Sequence, residues 1–462
     1  MRRSRGVSFV VSEGRTIPST LESSVKKRSL ALVTSASLIC AILSAIPSAS
    51  AHADYNPVYR PVAGASSTHD EQLATLAYWL GPDYDSAAKL EQPFAAAAYT
   101  ANADAKNGTK YASHVPNLRE FVPDRGNSGK LYSGTGAVTR TVGKLFFVET
   151  GVRARVATDQ TGDHNYLGEL LTDDSAYDDA ADPWVHTVGY HEVVDETTNT
   201  TTDSWTGVCS ADSVVSANGS TVLTAGHCVE APPVLARKGS PAYDRAQMSK
   251  WIFVPGFVGI TGHGSTGTDT TLAQAAPSGV WVASRVYTTP YWDDWTAGQS
   301  GRNDNALDLN AMGYDVAAMT VVNPLSPDTT LAGVVGAQNV AFDTAMNQNI
   351  TAFGYPQVPD SLYGQFFGGR SLATCTGSSF SDILGTGNTG PGNVPGLKDH
   401  GLWCTLNEGS SGGPMFYDYD AATGTGTQVS VISFPEPPEY IMGPQFGSVV
   451  QGVYDAIEDL AP

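Results

Sequence analysis

Three short segments carry side chains suited to proton transfer and nucleophilic attack. The first is Leu223-Thr224-Ala225-Gly226-His227-Cys228. It reads as a strand that delivers a histidine onto a tight turn, followed at once by a cysteine that can be stapled in place. A general base working near neutral pH needs a titratable ring in a fixed orientation, and this setting supplies both. The second is Gly409-Ser410-Ser411-Gly412-Gly413-Pro414. A serine hydroxyl is a weak nucleophile; it needs a base beside it and N–H donors for the oxyanion its attack creates. The glycines around Ser411 permit a tight loop that turns its N–H groups into one pocket. The third is Gly313-Tyr314-Asp315-Val316-Ala317-Ala318-Met319, in which Asp315 stands at the mouth of a small apolar strand. There it can accept the second N–H of the histidine and fix its tautomer. Asp304 and Asp308 are the rival acids, and neither is followed by a clean apolar run.

The elements that must position these residues are short strands. From Trp205 onward, β-branched runs alternate with Gly, Pro, Asn and Asp turns, as in an antiparallel barrel or sandwich. Examples are Ser213–Val215, Thr221–Leu223, Trp251–Val254 and Gln428–Ile432, and strand character begins earlier, over Thr139–Val148. The 48 glycines and 27 prolines fit an all-β fold with many turns. A polar stretch near residues 151–203, with Asp173-Asp174 and Asp178-Asp179, lacks the spacing of a calcium loop and reads as a solvated insertion. Val450–Leu460 predicts a short amphipathic helix at the carboxyl end.

Upstream, Lys26-Lys27-Arg28 precede an apolar run, Ser29–Ile46, and the small-residue site Ala49-Ser50-Ala51. That order predicts a secretory signal peptide over 1–51 and a secreted, extracellular protein. Residues 52–138 are Ala-rich and poor in strand patterns, and they read as a propeptide or small accessory segment. Within them a helix is predicted over His69–Leu80, capped by Thr68 with Glu71 in its first turn and stopped by Gly81-Pro82. Cys40 lies inside the signal. Four cysteines remain, Cys209, Cys228, Cys375 and Cys404, an even number that predicts two disulfides, with three pairings open. The net charge of −20 argues against nucleic acid or an anionic membrane surface as partner. No metal-ligand spacing connects His164, His186, His191, His263 and His400, so no metal and no cofactor is expected.

The order His227, Asp315, Ser411, with TAGHC and GSSGGP around the first and last, resembles the chymotrypsin-like serine proteases. Gly143–Phe147, Phe353–Pro356 and Gly443–Ser448 are most similar to secreted bacterial members related to glutamyl endopeptidases. The resemblance runs from about Thr139 to the carboxyl end. It implies two antiparallel six-stranded β-barrels, residues 139–327 and 328–462, with the active site between them. His227 and Asp315 would come from the first barrel and Ser411 from the second. It also implies an oxyanion hole from the N–H groups of Gly409 and Ser411, disulfides Cys209–Cys228 and Cys375–Cys404, polypeptide substrates and a monomer.

The sequence departs from that family in places. Ser410 stands where trypsin-like enzymes carry the aspartate that binds a new amino terminus, and no Ile-Val-Gly-Gly start is present. Activation without an ammonium–carboxylate switch is therefore expected. Thr405 falls at the base of the expected primary pocket, with Ser433, Phe434 and Pro435 along its wall. Without an acid at Thr405, preference for Arg or Lys is not expected. Ile432 stands where glutamyl endopeptidases place a histidine, which counts against Glu specificity. Two other classes compete. An esterase would need G-x-S-x-G and a histidine last in the chain, which are not seen. A catalytically inactive binding or adhesion protein on a protease fold would lack a triad member, and all three residues are present.

Overall fold

The computed structural model describes residues 58–90, 129–152, 189–195, 200–230, 247–259, 271–292, 313–357, 368–381, 399–406, 408–436 and 440–462. The expected signal peptide, His164, His186, His263, Asp304, Asp308 and the acidic pairs near 173–179 lie outside them; so does the His191 side chain. Among the described residues no helix is long and apolar enough to cross a membrane.

The first element is helix α1, His69–Leu80, with the limits its sequence predicts. Thr68 caps it: its hydroxyl accepts the Glu71 N–H, and the Glu71 carboxylate accepts the Thr68 N–H. A two-residue strand, β1 (Lys130–Leu131), follows. The predicted strand start at Thr139 is instead one helical turn, Val138–Thr141. Here the Thr139 hydroxyl donates to Gly136 O, and Ala137 N–H and Val138 N–H donate to Thr423 O and Gly424 O. These side-chain and tertiary bonds outweigh the strand preference of the threonines.

Seven strands come next: β2 (Val142–Val152), β3 (Gly189–Asp195), β4 (Thr200–Val214), β5 (Thr221–Thr224), β6 (Gln247–Pro255), β7 (Trp281–Thr288) and β8 (Ala317–Val322). Their order is β2-β6-β7-β8-β5-β4-β3, every pair antiparallel, and β2 also pairs with β4. Six strands therefore close into a barrel, and β3 lies along β4 outside the closure. Closure explains the sequence pattern. On β2, Leu145 and Phe147 enter the barrel core, while Phe146 and Val148 face the other way into a second core. Trp251 and Phe253 alternate with Ile252 and Val254 on β6 in the same manner. The outer core is completed by Leu76, Trp79 and Leu80 of α1, and the Trp79 indole donates to Lys250 O (2.7 Å). Strands apolar on both faces read as continuous apolar runs, as Leu145–Val148 and Trp251–Val254 do.

The second half holds β9 (Asn339–Val340), β10 (Asn349–Gly354), β11 (Ala373–Ser378), β12 (Phe380–Ser381), β13 (Asp399–Trp403), β14 (Pro414–Asp420), β15 (Thr425–Val431), β16 (Phe434–Glu436) and β17 (Tyr440–Pro444). They form a six-stranded sheet, β1-β11-β10-β14-β15-β9, and a four-stranded sheet, β12-β13-β17-β16. The chain runs directly from one sheet to the other at β11–β12 and β15–β16. Ile350, Ala352, Leu402, Met415, Val429 and Ile441 fill the core between them. Where a second closed barrel was expected, the described residues give these two sheets. Among the described residues the fold is mostly β, with one closed six-stranded barrel and a short carboxyl-terminal helix.

That helix, α2 (Ser448–Asp455), begins two residues before the predicted start and ends well short of Leu460. Asp455, Glu458 and Asp459 place negative charge against the negative end of the helix dipole, which disfavours extension. Val450 and Val453 of α2 pack into the core of the first barrel.

Candidate active site

His227 sits on a single 3₁₀ turn, Gly226–Cys228, directly after β5. The Val229 and Glu230 N–H groups both donate to Gly226 O and close the turn (2.9 Å each). The Trp251 indole donates to Cys228 O (3.0 Å), and Cys228 is bonded to Cys209 on β4. Asp315 precedes β8. Its bend is latched by two threonines at the end of β7: Thr288 donates to Val316 O (3.0 Å) and Thr289 to Tyr314 O (2.7 Å).

These two supports bring His227 and Asp315 together. Asp315 Oδ2 lies 2.7 Å from His227 Nδ1, and Oδ1 accepts the His227 backbone N–H at 2.6 Å. Asp315 is fully buried, whereas the His227 side chain is 17% exposed. The Ser433 hydroxyl also donates to Asp315 Oδ2, at 2.5 Å. A buried carboxylate needs donors, and this one has three. The His227 ring is thereby held through Nδ1, with Nε2 left for other chemistry. Gly226 makes the approach possible, because a Cβ built there would fall 2.9 Å from Asp315 Oδ1.

Ser411 lies on the turn that leads into β14 and is partly exposed. Its carbonyl accepts the Ser210 N–H of β4 (2.7 Å), and Gly412 N–H donates to Ile432 O (2.6 Å). Gly412 has φ +79°, and a Cβ built there would fall 2.0 Å from Thr224 Oγ1. The turn therefore runs in contact with Thr224 and Ala225, the residues that lead into the His227 turn. Among the described residues the Gly409 and Ser411 N–H groups donate no backbone hydrogen bond, whereas those of Gly412 and Gly413 are taken by Ile432 O and Ser410 O.

The expected pocket residues spread over two environments. Thr405 is nearly buried, and its hydroxyl accepts the Gly129 N–H (2.9 Å). Phe434 joins Trp292, Trp403, Tyr440 and Met442 in an aromatic cluster. Pro435 lies in β16, in register with Ile441. Ser433 faces Asp315, a contact the sequence reading did not foresee; only its family position marked it, as pocket wall. Ile432 is buried in the core of the second half. Both disulfides join the pairs expected from the resemblance, Cys209–Cys228 and Cys375–Cys404, with Cα separations of 6.2 and 5.7 Å.

Among the buried ionisable groups outside this constellation are His400 and Asp212. His400 on β13 is fully buried without a ring hydrogen-bond partner among the described residues, and burial pushes its pKa down to about 4. Asp212 on β4 is likewise fully buried, and desolvation holds its carboxyl well above the ordinary range, with the Thr141 hydroxyl and Ser213 amide offsetting part of the shift. Cys209, His227 and Cys228 place three potential ligand atoms within 4.8 Å of one another, but the disulfide ties up both sulfurs.

No family model and no curated protein matches the chain. Among solved structures, the chain is similar to the protease Anisep from Arthrobacter nicotinovorans, at 24% identity and a TM-score of 0.42. That likeness covers 72% of this chain and 100% of the other. It is also similar to the thermostable serine protease AL20 from an extremophilic microorganism, at 23% identity and a TM-score of 0.40, covering 70% and 98%. A Glu endopeptidase is similar at 15% identity and a TM-score of 0.32, covering 55% of this chain and 86% of its own.

Proposed function

We propose that this chain is a secreted serine endopeptidase that cleaves peptide bonds through an acyl-enzyme. The observation that carries the reading is the double contact of buried Asp315 with His227, beside a glycine-rich turn that presents Ser411. His227 Nε2 takes the proton from Ser411 Oγ as that oxygen attacks the peptide carbonyl. Asp315 keeps the proton on Nδ1 and stabilises the imidazolium. The tetrahedral oxyanion is met by the N–H groups of Gly409 and Ser411, donors not taken by the loop itself. His227 then protonates the leaving amine, the C–N bond breaks and the acyl group stays on Ser411. Water enters, gives its proton to His227 and attacks the ester, and the acid leaves as the serine recovers its proton.

The chemistry draws on side chains and backbone N–H groups of this chain, and its substrates are polypeptides. Thr405 at the pocket base and buried Ile432 favour neither a basic nor a glutamyl side chain at the cleaved bond. Two disulfides suit an oxidising compartment. The protein acts outside the cell as a monomer, after removal of residues 1–51 and processing within 52–138. Casein hydrolysis by the exported protein, alongside Ser411→Ala, tests the reading. Turnover that vanishes in the variant is expected. Equal turnover by both proteins, or none from wild type that is folded and processed, would overturn it.

A further inference from the structure

We propose that Ser210 is a positioning residue that holds the oxyanion donors in place, an inference that rests on the protease reading above. Ser210 lies on β4, directly after the disulfide-bonded Cys209, and is fully buried. It makes four hydrogen bonds, two of them across the seam between the barrel and the nucleophile loop. Its N–H donates to Ser411 O (2.7 Å), and its hydroxyl donates to Gly409 O (2.8 Å). The same hydroxyl accepts the Tyr355 N–H (2.9 Å), and its carbonyl accepts the Thr224 hydroxyl (2.9 Å).

The direction of an N–H is set by its peptide plane, so it follows the carbonyl of the residue before it. The Gly409 N–H shares a plane with Glu408 O, which accepts the Gln357 N–H (2.7 Å). The Ser411 N–H shares a plane with Ser410 O, which accepts the Gly413 N–H (2.9 Å). The next plane after each of these, 409–410 and 411–412, is held by Ser210. Four successive carbonyls are thus fixed, two of them by one residue of the barrel. Gly409 lacks a Cβ, so rotation of the 409–410 plane meets little steric resistance, and the Ser210 hydroxyl is its anchor. Preorganised donors act only while their aim is fixed. Ser210 also touches Thr224 and adjoins the disulfide to Cys228, so one residue couples the oxyanion loop to the histidine turn.

The test compares wild type, Ser210→Ala and Ser210→Thr, with Ser411→Ala as the control for the chemistry. Ser210→Ala should lower kcat by about 10- to 100-fold, the range of a small misplacement at a reacting centre, with KM within about twofold of wild type. A peptide boronate, which forms a tetrahedral adduct on the serine, should bind more weakly by a similar factor. A product peptide should bind as before. Ser210→Thr, which keeps the hydroxyl, should restore kcat. Unchanged kcat in Ser210→Ala, or parallel loss of boronate and product-peptide binding, would overturn the role. Should the alanine variant fail to accumulate folded, Ser210→Cys carries the same comparison, its thiol being a poor donor. Wild-type turnover that does not depend on Ser411 would instead bring down the protease reading itself.

Discussion

Asp315 accepts from three donors, the His227 backbone N–H and ring and the Ser433 hydroxyl, which together hold a buried carboxylate against the histidine. Its place before Val316-Ala317-Ala318 marked it as the histidine's partner. Nothing local showed that the His227 backbone N–H would take its second oxygen, or that Ser433, 118 residues away, would donate to the first. Such contacts depend on how the strands register, and register is a property of pairing across the sheet. His400 illustrates the same limit: no metal-ligand spacing surrounds it, and only the fold shows its complete burial. Its folded pKa of about 4 lies below the ordinary value of 6.5. Between those values the unfolded chain binds a proton that the folded protein refuses. Stability should therefore be fully present above pH 6.5 and fall as pH drops toward 4, by about 3 kcal/mol in total. Urea unfolding of wild type and His400→Met at pH 7 and pH 5 checks this. The variant should lose much of the pH dependence, and equal slopes would contradict the assignment.

At the scale of elements, the TAGHC and GSSGGP segments were legible because each combines a reactive side chain with small residues. The structure supplies the reason for the small residues. Gly226 lets Asp315 reach the histidine turn, and Gly412 lets the nucleophile loop lie against Thr224. Gly412→Ala would place a Cβ at positive φ and 2.0 Å from a side-chain oxygen. It should destabilise the fold by at least about 2 kcal/mol and lower kcat/KM by more than about 100-fold. Thermal unfolding and peptide hydrolysis measure both, and near-wild-type values would mean that the loop does not need this contact. Less legible was the start of β2. Thr139 and Thr141 have strand-forming side chains, yet a local bond from Thr139 to Gly136 and bonds from Ala137 and Val138 to Thr423 and Gly424 of a distant hairpin turn the segment into helix.

Across the whole molecule, linear boundaries and packing do not coincide. Strand β1 joins the sheet of the second half, while α2, at the far end of the chain, packs on the first barrel. The helix α1 was readable to the residue from its capping box and its Gly81-Pro82 stop. Its destination was not readable, because a weakly amphipathic helix does not announce which surface it covers. The structure puts it over the outer face of β2 and β6, with Trp79 buried and hydrogen-bonded to Lys250 O. If residues 58–90 are part of the folded body, Trp79→Ala in the full chain should cost about 3–5 kcal/mol. Calorimetry of the exported precursor reads this directly, and an unchanged melting temperature would show that the segment is dispensable to the barrel.

An activated nucleophile at Ser411 reacts with a phosphonylating agent whatever the substrate. Wild type, Ser411→Ala and His227→Ala are exposed to a fluorophosphonate, digested, and the adduct located by mass spectrometry. One adduct is expected, on Ser411, in wild type, with labelling lost in Ser411→Ala and slowed by orders of magnitude in His227→Ala. Unlabelled folded wild type, or labelling on another residue that is indifferent to His227, would contradict this role of Ser411.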